Sequence, residues 1–208
     1  MSHPRHSVSG VLLAVTCPVC GALGRAPCPG CTEEMRPAPS LPDPAGVDAC
    51  LVLLSYEGAG RELVARLKYR NSRSALPGLA RAMASLVDDP TEFDVVTWAP
   101  TTPSRRRQRG FDQAELLARA VARHLRRPCR RVLVRLPGPV QTGRPLAERH
   151  GGPSFVPRRT LPGRSALVVD DVITSGATIN AAALALRRAG ATAVTALAAA
   201  RTPRPGSA

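Results

Sequence analysis

Aromatic side chains are almost missing from this 208-residue chain: three Phe, two Tyr and one Trp amount to 3%. A core has to be built from Ala, Val and Leu, and ring stacking can add little to any contact with bases. Lysine is scarcer still, since Lys68 is the one basic residue among 29 that is not arginine. No apolar run reaches the ~20 residues that a membrane-crossing helix needs. The short run Gly10–Val15 ahead of Cys17 is too brief for a secretion signal, and Thr16 is a poor cleavage residue, so the expected location is the cytoplasm. Two nucleotide signatures are absent as well: there is neither a Gly-Lys-Ser/Thr phosphate loop nor a G-x-G-x-x-G turn.

What is present fits a globular protein, 44% hydrophobic and long enough for one good core with a small appendage. Lys and Arg outnumber Asp and Glu by 29 to 15, a net charge of +14. Exchanging Lys for Arg leaves charge unchanged, so the excess points to solubility, an anionic substrate or nucleic acid.

The most informative stretch is Ala166–Gly190, ALVVDDVITSGATINAAALALRRAG. Ala166 to Val169 reads as a buried parallel strand that ends in two carboxylates, Asp170 and Asp171. Thr174, Ser175, Gly176, Ala177 and Thr178 form a small hydroxyl-bearing loop, and a helix from Ile179 to Ala189 is stopped by Gly190. A helix start with unpaired N–H groups behind small residues is a phosphate cradle. Carboxylates beside it suit the vicinal hydroxyls of a ribose, so a ribose 5-phosphate fits the set. The bland alternative is a surface turn that happens to contain Asp and Thr. In order and spacing these residues resemble the motif by which type I phosphoribosyltransferases bind 5-phosphoribosyl 1-pyrophosphate (PRPP).

Cys17-x-x-Cys20 and Cys28-x-x-Cys31 make two knuckles, seven residues apart. Two such pairs complete an all-thiolate tetrahedral zinc site. Two disulfides or a thioredoxin-like pair compete with that reading, but no signal peptide supports the first and no strand-and-helix context the second. Cys50 and Cys129 stand alone and read as small buried hydrophobes. Arg36–Val47, rich in Pro and Ala, reads as a linker. Strands are expected at Cys50–Tyr56, Asp94–Ala99, Arg131–Leu136 and Ala193–Ala200, with helices at Arg61–Arg70, Leu76–Val87 and from Asp112, where Glu115 gives a capping-box spacing. Arg105, Arg106, Arg107 and Arg109 lie in a loop between a strand and a helix, where open α/β sheets bind ligands. They read either as a clamp for pyrophosphate or nucleic-acid phosphate, or as a solvated charge run. Pro137–Arg158, with Gln141, Thr142, Arg144, Arg149 and His150, has no period and reads as a lid or a disordered loop.

The double C-x-x-C, Tyr56-Glu-Gly with Leu67-Lys68-Tyr69, Arg109-Gly-Phe-Asp-Gln113-Ala-Glu-Leu-Leu-Ala118, Gln141 with Arg149, and the PRPP loop together resemble the ComF/GntX family across nearly the whole chain. That resemblance implies an α/β fold, a mainly parallel sheet flanked by helices of the type I phosphoribosyltransferase kind, with a small N-terminal zinc-binding segment. It implies a zinc-ribbon-like head over 1–35, a linker over 36–47, a phosphoribosyltransferase-like domain over 48–201 and a tail over 202–208. It further implies PRPP held by Asp170, Asp171 and Thr174–Thr178 with Mg²⁺, catalysis involving Asp170, Asp171 and Arg149, and a link to DNA uptake in competence. Single-stranded DNA is the expected second partner, read through charge by Arg105–Arg109, Arg126, Arg127, Arg130 and Arg131, with at most Phe111 or Trp98 available for stacking. Components of the DNA-uptake machinery are expected partners on the same grounds.

Overall fold

The computed structural model describes residues 15–67, 74–137 and 153–204. A short helix α1 (Pro29–Glu33) belongs to the cysteine-bearing head, and β1 (Ala49–Ser55), α2 (Gly58–Arg66) and α3 (Leu76–Ala84) follow. Next come β2 (Val95–Trp98), α4 (Pro103–Arg109), α5 (Gln113–Leu125), β3 (Leu133–Arg135) and β4 (Phe155–Pro157). The chain ends with β5 (Ser165–Ile173), α6 (Ala177–Arg188) and β6 (Ala193–Arg201). The expected parallel sheet flanked by helices is formed by β1, β6, β5 and β2 in that order, each neighbouring pair parallel.

The period-two alternation of the strands builds two layers. Leu167, Val169, Leu197 and Ala199 face a core shared with α2, α3 and α5. Ala166, Val168, Ala196 and Ala198 face the opposite one, shared with α6 and the β3–β4 ribbon. The aromatic shortage is met by alanine: Ala196, Ala198, Ala199 and Ala200 of β6 are fully buried, and their small side chains allow helices to lie close. Cys50 and Cys129 pack against these cores half-buried rather than buried, and burial pushes both thiols upward, Cys50 to about 11.

Three expectations are corrected. The arginine run is not a loop but α4, because Thr102 caps it, Pro103 stands at its first position and Gly110, at φ +78°, ends it. Thr102 Oγ1 accepts from the Arg105 N–H at 3.3 Å. The Arg131–Leu136 strand does not extend the main sheet; it pairs antiparallel with β4, which lies inside the stretch read as a structureless loop. Phe155, a buried aromatic at 2% exposure, gives that segment a reason to fold back. Finally, β5 does not end at its carboxylates but runs through them to Ile173.

The Pro-rich segment 36–47 lies along the carboxyl ends of the strands. Ser55 N–H donates to the Arg36 carbonyl at 2.9 Å, Pro37 bridges to Leu54, and the Arg201 guanidinium donates to the carbonyls of Leu41 (3.2 Å) and Pro42 (2.6 Å). Pro44 is buried against Gly176, where an added Cβ would come within 3.1 Å of the proline ring.

Candidate functional site

The carboxylates owe their setting to a mismatch in strand length. β2 stops at Trp98, opposite Val169, so Asp170 onward is paired only with β6, with Asp170 opposite Ala198. By strand alternation Asp170 continues the row of Ala166 and Val168, while Asp171 continues that of Leu167 and Val169. The opening left beside them is a cavity of about 230 Å³ under the 99–101 turn, α4, the start of α5 and β3.

Asp170, Asp171 and Thr178 line one part of this cavity, and Arg105, Arg109 and Arg135 another. Arg105 and Arg109 are four residues apart, hence on one face of α4. Arg135 is set by its ribbon, which Val132 N–H ties to Thr97 Oγ1 of β2 at 3.4 Å, and its guanidinium lies 5.6 Å from the centre of the Phe155 ring. Asp112 joins from the cap of α5.

Burial pushes the Asp170 carboxyl well above the usual carboxylate range, and the charges of Asp171 and Asp112 add to it. The Asp171 N–H, 2.9 Å from Asp170 Oδ1, works against that rise. Asp112 is likewise raised by burial, with the Thr101 N–H at 2.8 Å from Oδ2 in opposition. Burial and then Arg105 lower Arg135, while Asp170 and Asp112 hold it up. The pocket therefore brings acidic and basic groups together around the buried Asp170, a setting in which an added cation or anion shifts its neighbours.

The 174–178 loop adjoins this recess. Gly176, at φ +77°, caps α6; Ser175 Oγ accepts from the Ala177 N–H at 3.4 Å; Thr174, Ser175 and Ala177 are exposed, and of the loop only Thr178 lines the cavity. The left-handed backbone and the Pro44 contact together call for glycine at 176.

The four arginines separate. Arg106 and Arg107 are exposed and do not line the cavity, and Arg106 lies 3.7 Å from Glu115. Lys68, Tyr69, Gln141, Thr142, Arg144, Arg149 and His150 lie outside the described residues. Arg135 had not been expected there, and Asp112 had been expected near an anion site only as a helix cap. Arg135 belongs to no motif, and its one signal is a charge inside an otherwise apolar strand. Asp112 had been read as a helix cap; it holds that position, but its carboxylate makes no cap hydrogen bond and turns to Thr101 instead. Its neighbour Gln113 is buried too, with Nε2 donating to the Val64 carbonyl at 3.2 Å. Trp98 and Phe111, the expected stacking rings, are only 2% and 8% exposed.

In the head, the sulfur atoms of Cys17, Cys20, Cys28 and Cys31 all lie within 4.8 Å of one another. Cys20 and Cys28 are 3.7 Å apart, which matches the ~3.8 Å that Zn–S bonds of ~2.3 Å impose in a tetrahedron. Cys28 N–H donates to Cys17 Sγ at 3.4 Å, as an outer-shell partner of a thiolate does. Burial acts to raise the Cys17 thiol, but backbone donors from Cys20, Cys28 and Val19 bring it down to about 6. A zinc ion fits this donor set.

No model of a known protein family matches the sequence, and no curated protein does. Fifteen solved chains match in structure. One, the allosteric regulatory enzyme of purine biosynthesis, is 25% identical with a TM-score of 0.44 over 62% of this chain and 26% of its own. A purine phosphoribosyltransferase from Pyrococcus horikoshii is 14% identical with a TM-score of 0.40, over 76% of this chain and 83% of its own. The present chain thus spans about a quarter of the length of the first.

Proposed function

We propose that this protein binds PRPP as its Mg²⁺ complex in the carboxylate cavity and is a phosphoribosyltransferase-type protein of the ComF kind. The observation that carries the reading is the meeting, in one recess, of Asp170 and Asp171, the first turn of α6 with Thr178, and the Arg105, Arg109 and Arg135 guanidiniums. Thr174–Thr178 hold the 5-phosphate at the helix start, Asp170 and Asp171 accept from the ribose hydroxyls, and the arginines take the pyrophosphate. Asp170 and Asp171 would stand beside the magnesium ion of that complex, whose contribution there would be to offset leaving-group charge. In transfer, an acceptor atom bonds to the anomeric carbon while the bond to pyrophosphate breaks, its electron pair leaving with the pyrophosphate oxygen. The residues contribute position and charge to a transition state with oxocarbenium character. Arg149 supplies further charge from the 138–152 stretch, and the zinc in the head is structural because four thiolates leave no open position.

The test is thermal unfolding with PRPP and Mg²⁺, followed by pyrophosphate release across a panel of acceptors. A ligand that binds only the native state raises the midpoint. An unchanged midpoint at saturating PRPP removes the reading, and a raised midpoint without pyrophosphate release leaves binding without turnover.

A second reading, a nucleic-acid-binding competence factor that works with DNA-uptake machinery, is favoured by one observation: Arg106 and Arg107 lie outside the cavity on an exposed helix in a chain of net charge +14. With Trp98 and Phe111 buried, such binding rests on phosphate contacts.

A further inference from the structure

At the opposite end of the sheet, where β2 and β5 begin, lies a second cavity of about 730 Å³. Val95, Val132 and Leu161 are buried at its base, and Arg130, Arg158, Arg159 and Arg164 line it as exposed side chains. The one carboxylate in its lining, Asp94, is already engaged: the N–H and hydroxyl of Ser165 donate to its Oδ2 at 2.9 and 3.0 Å. Among the described residues, none of the four guanidiniums forms a salt bridge. Four cations thus face one anion across a concave surface, a concentration of positive potential that an anionic ligand relieves.

The arginines are carried on fixed backbone. Arg130 N–H donates to the Val96 carbonyl at 3.0 Å, Arg158 N–H to Val132 at 2.6 Å, and the Arg164 carbonyl accepts from Thr192 N–H at 2.9 Å. Three separate segments are therefore pinned to the sheet, the ribbon and the turn after α6 before any ligand arrives. Among the described residues no aromatic ring lines the groove to stack on a base, whereas guanidinium forks match phosphate oxygens in pairs. We propose that this groove is a second anion site, separate from the carboxylate cavity, for a ligand bearing a di- or triphosphate group. The proposal stands apart from the PRPP reading and survives its failure.

Calorimetric titration of the full chain with inorganic tripolyphosphate is the test, with adenosine triphosphate as the nucleoside-bearing arm. The two ligands are expected to compete and to bind with similar affinity, because phosphates alone are recognised. Arg158→Ala with Arg159→Ala should weaken both by about tenfold or more, as expected for lost charge-assisted hydrogen bonds. The milder Arg158→Lys with Arg159→Lys should weaken them less, which covers the case of an alanine variant that fails to fold. Arg105→Ala with Arg109→Ala removes the phosphate partners of the carboxylate cavity, so tripolyphosphate binding to the groove should remain in that variant as a single site that adenosine triphosphate still displaces. Four results overturn the proposal: binding lost in the Arg105/Arg109 variant and kept in the Arg158/Arg159 variant; equal weakening by Arg123→Ala with Arg188→Ala, two exposed arginines outside the groove, which would reduce the effect to net charge; much tighter binding of adenosine triphosphate than of tripolyphosphate; and displacement of tripolyphosphate by single-stranded oligonucleotides with affinity that grows with length.

Discussion

The four-cysteine head and the carboxylate cavity both gather polar groups into one place, but over different lengths of chain. The head draws its sulfurs from Cys17 to Cys31, and two tight turns suffice to bring them within 4.8 Å. The cavity draws Arg105 from α4, Asp112 from the cap of α5, Arg135 from the ribbon, Asp170 from β5 and Thr178 from α6. A local site of this kind takes its stability from its metal, whereas the distant one borrows it from the sheet and concentrates charge at the sheet's expense. The segment 36–47 joins the two: one end is fixed to β1 through Arg36 and Pro37, and near the other Pro44 covers Gly176 of the 174–178 loop.

The largest effect is expected from the metal. Apparent binding energies of structural zinc in small modules run to about 10–16 kcal/mol, so chelation or Cys31→Ser should unfold the head while the parallel sheet persists. Metal analysis of the purified chain should give one zinc per molecule, and hydrogen exchange should show protection lost over 15–35. Full zinc content in Cys20→Ser would break the comparison, since the head would then not depend on four sulfurs.

Next comes Asp170. Its folded carboxyl is raised by burial, so the folded state holds a proton more readily than the unfolded chain. The resulting penalty is absent below the ordinary carboxylate range, grows as pH rises towards the folded value, and is complete above it. Asp170→Asn removes that penalty, so the apo variant should be at least as stable as the parent at neutral pH and should lose Asp170's share of the decline in stability with rising pH, leaving that of Asp112. It should also lose the PRPP-induced stabilisation, about 2.7 kcal/mol at ligand one hundredfold above Kd. A variant less stable than the parent in the absence of ligand would mean that Asp170 serves the fold rather than the site.

A smaller effect is expected where the two regions touch. Gly176→Ala places a Cβ at φ +77° and 3.1 Å from Pro44, a combination that should cost about 1–3 kcal/mol in thermal or denaturant unfolding. Pro44→Ala in the same chain should restore the part due to crowding and leave the backbone part. If the double variant shows no recovery, segment 36–47 does not press on the loop.

The same difference in length scale decides how much could be read from sequence. Cysteine spacing is itself geometry, so the cysteine cluster was legible, and the strand, turn and helix start over Asp170–Thr178 were legible because they are contiguous. The parallel sheet followed from alternating strand and helix patterns. Arg135 was not legible, because only the antiparallel pairing of β3 with β4 carries it towards Asp170, and that pairing depends on burying Phe155 across a long insertion. Asp112 was legible in part for a related reason: its cap position is a local property and was read correctly, while its hydrogen bond to Thr101 comes from the turn after β2. The arginine run was placed correctly between strand and helix, but its like charges obscured a helix that Thr102, Pro103 and Gly110 specify at its ends.

The smallest expected effect tests whether α4 serves one ligand or two. Arg105 and Arg109 face the cavity, so replacing both with Ala should abolish the PRPP-induced shift while changing the salt dependence of single-stranded DNA binding little. Arg106 and Arg107 lie outside it, and replacing them should do the reverse. On single strands each phosphate contact contributes about 0.7 to the log-log salt slope. Arg106 is already drawn to Glu115 at 3.7 Å, an exposed pairing that weakens its call on a phosphate without cancelling it. Arg107→Ala should therefore lower the slope by about 0.7 and Arg106→Ala by less. Competition between PRPP and DNA that persists in the Arg106/Arg107 variant would place both ligands on the inner face of α4, and a slope unchanged by all four substitutions would remove this helix from nucleic-acid binding altogether.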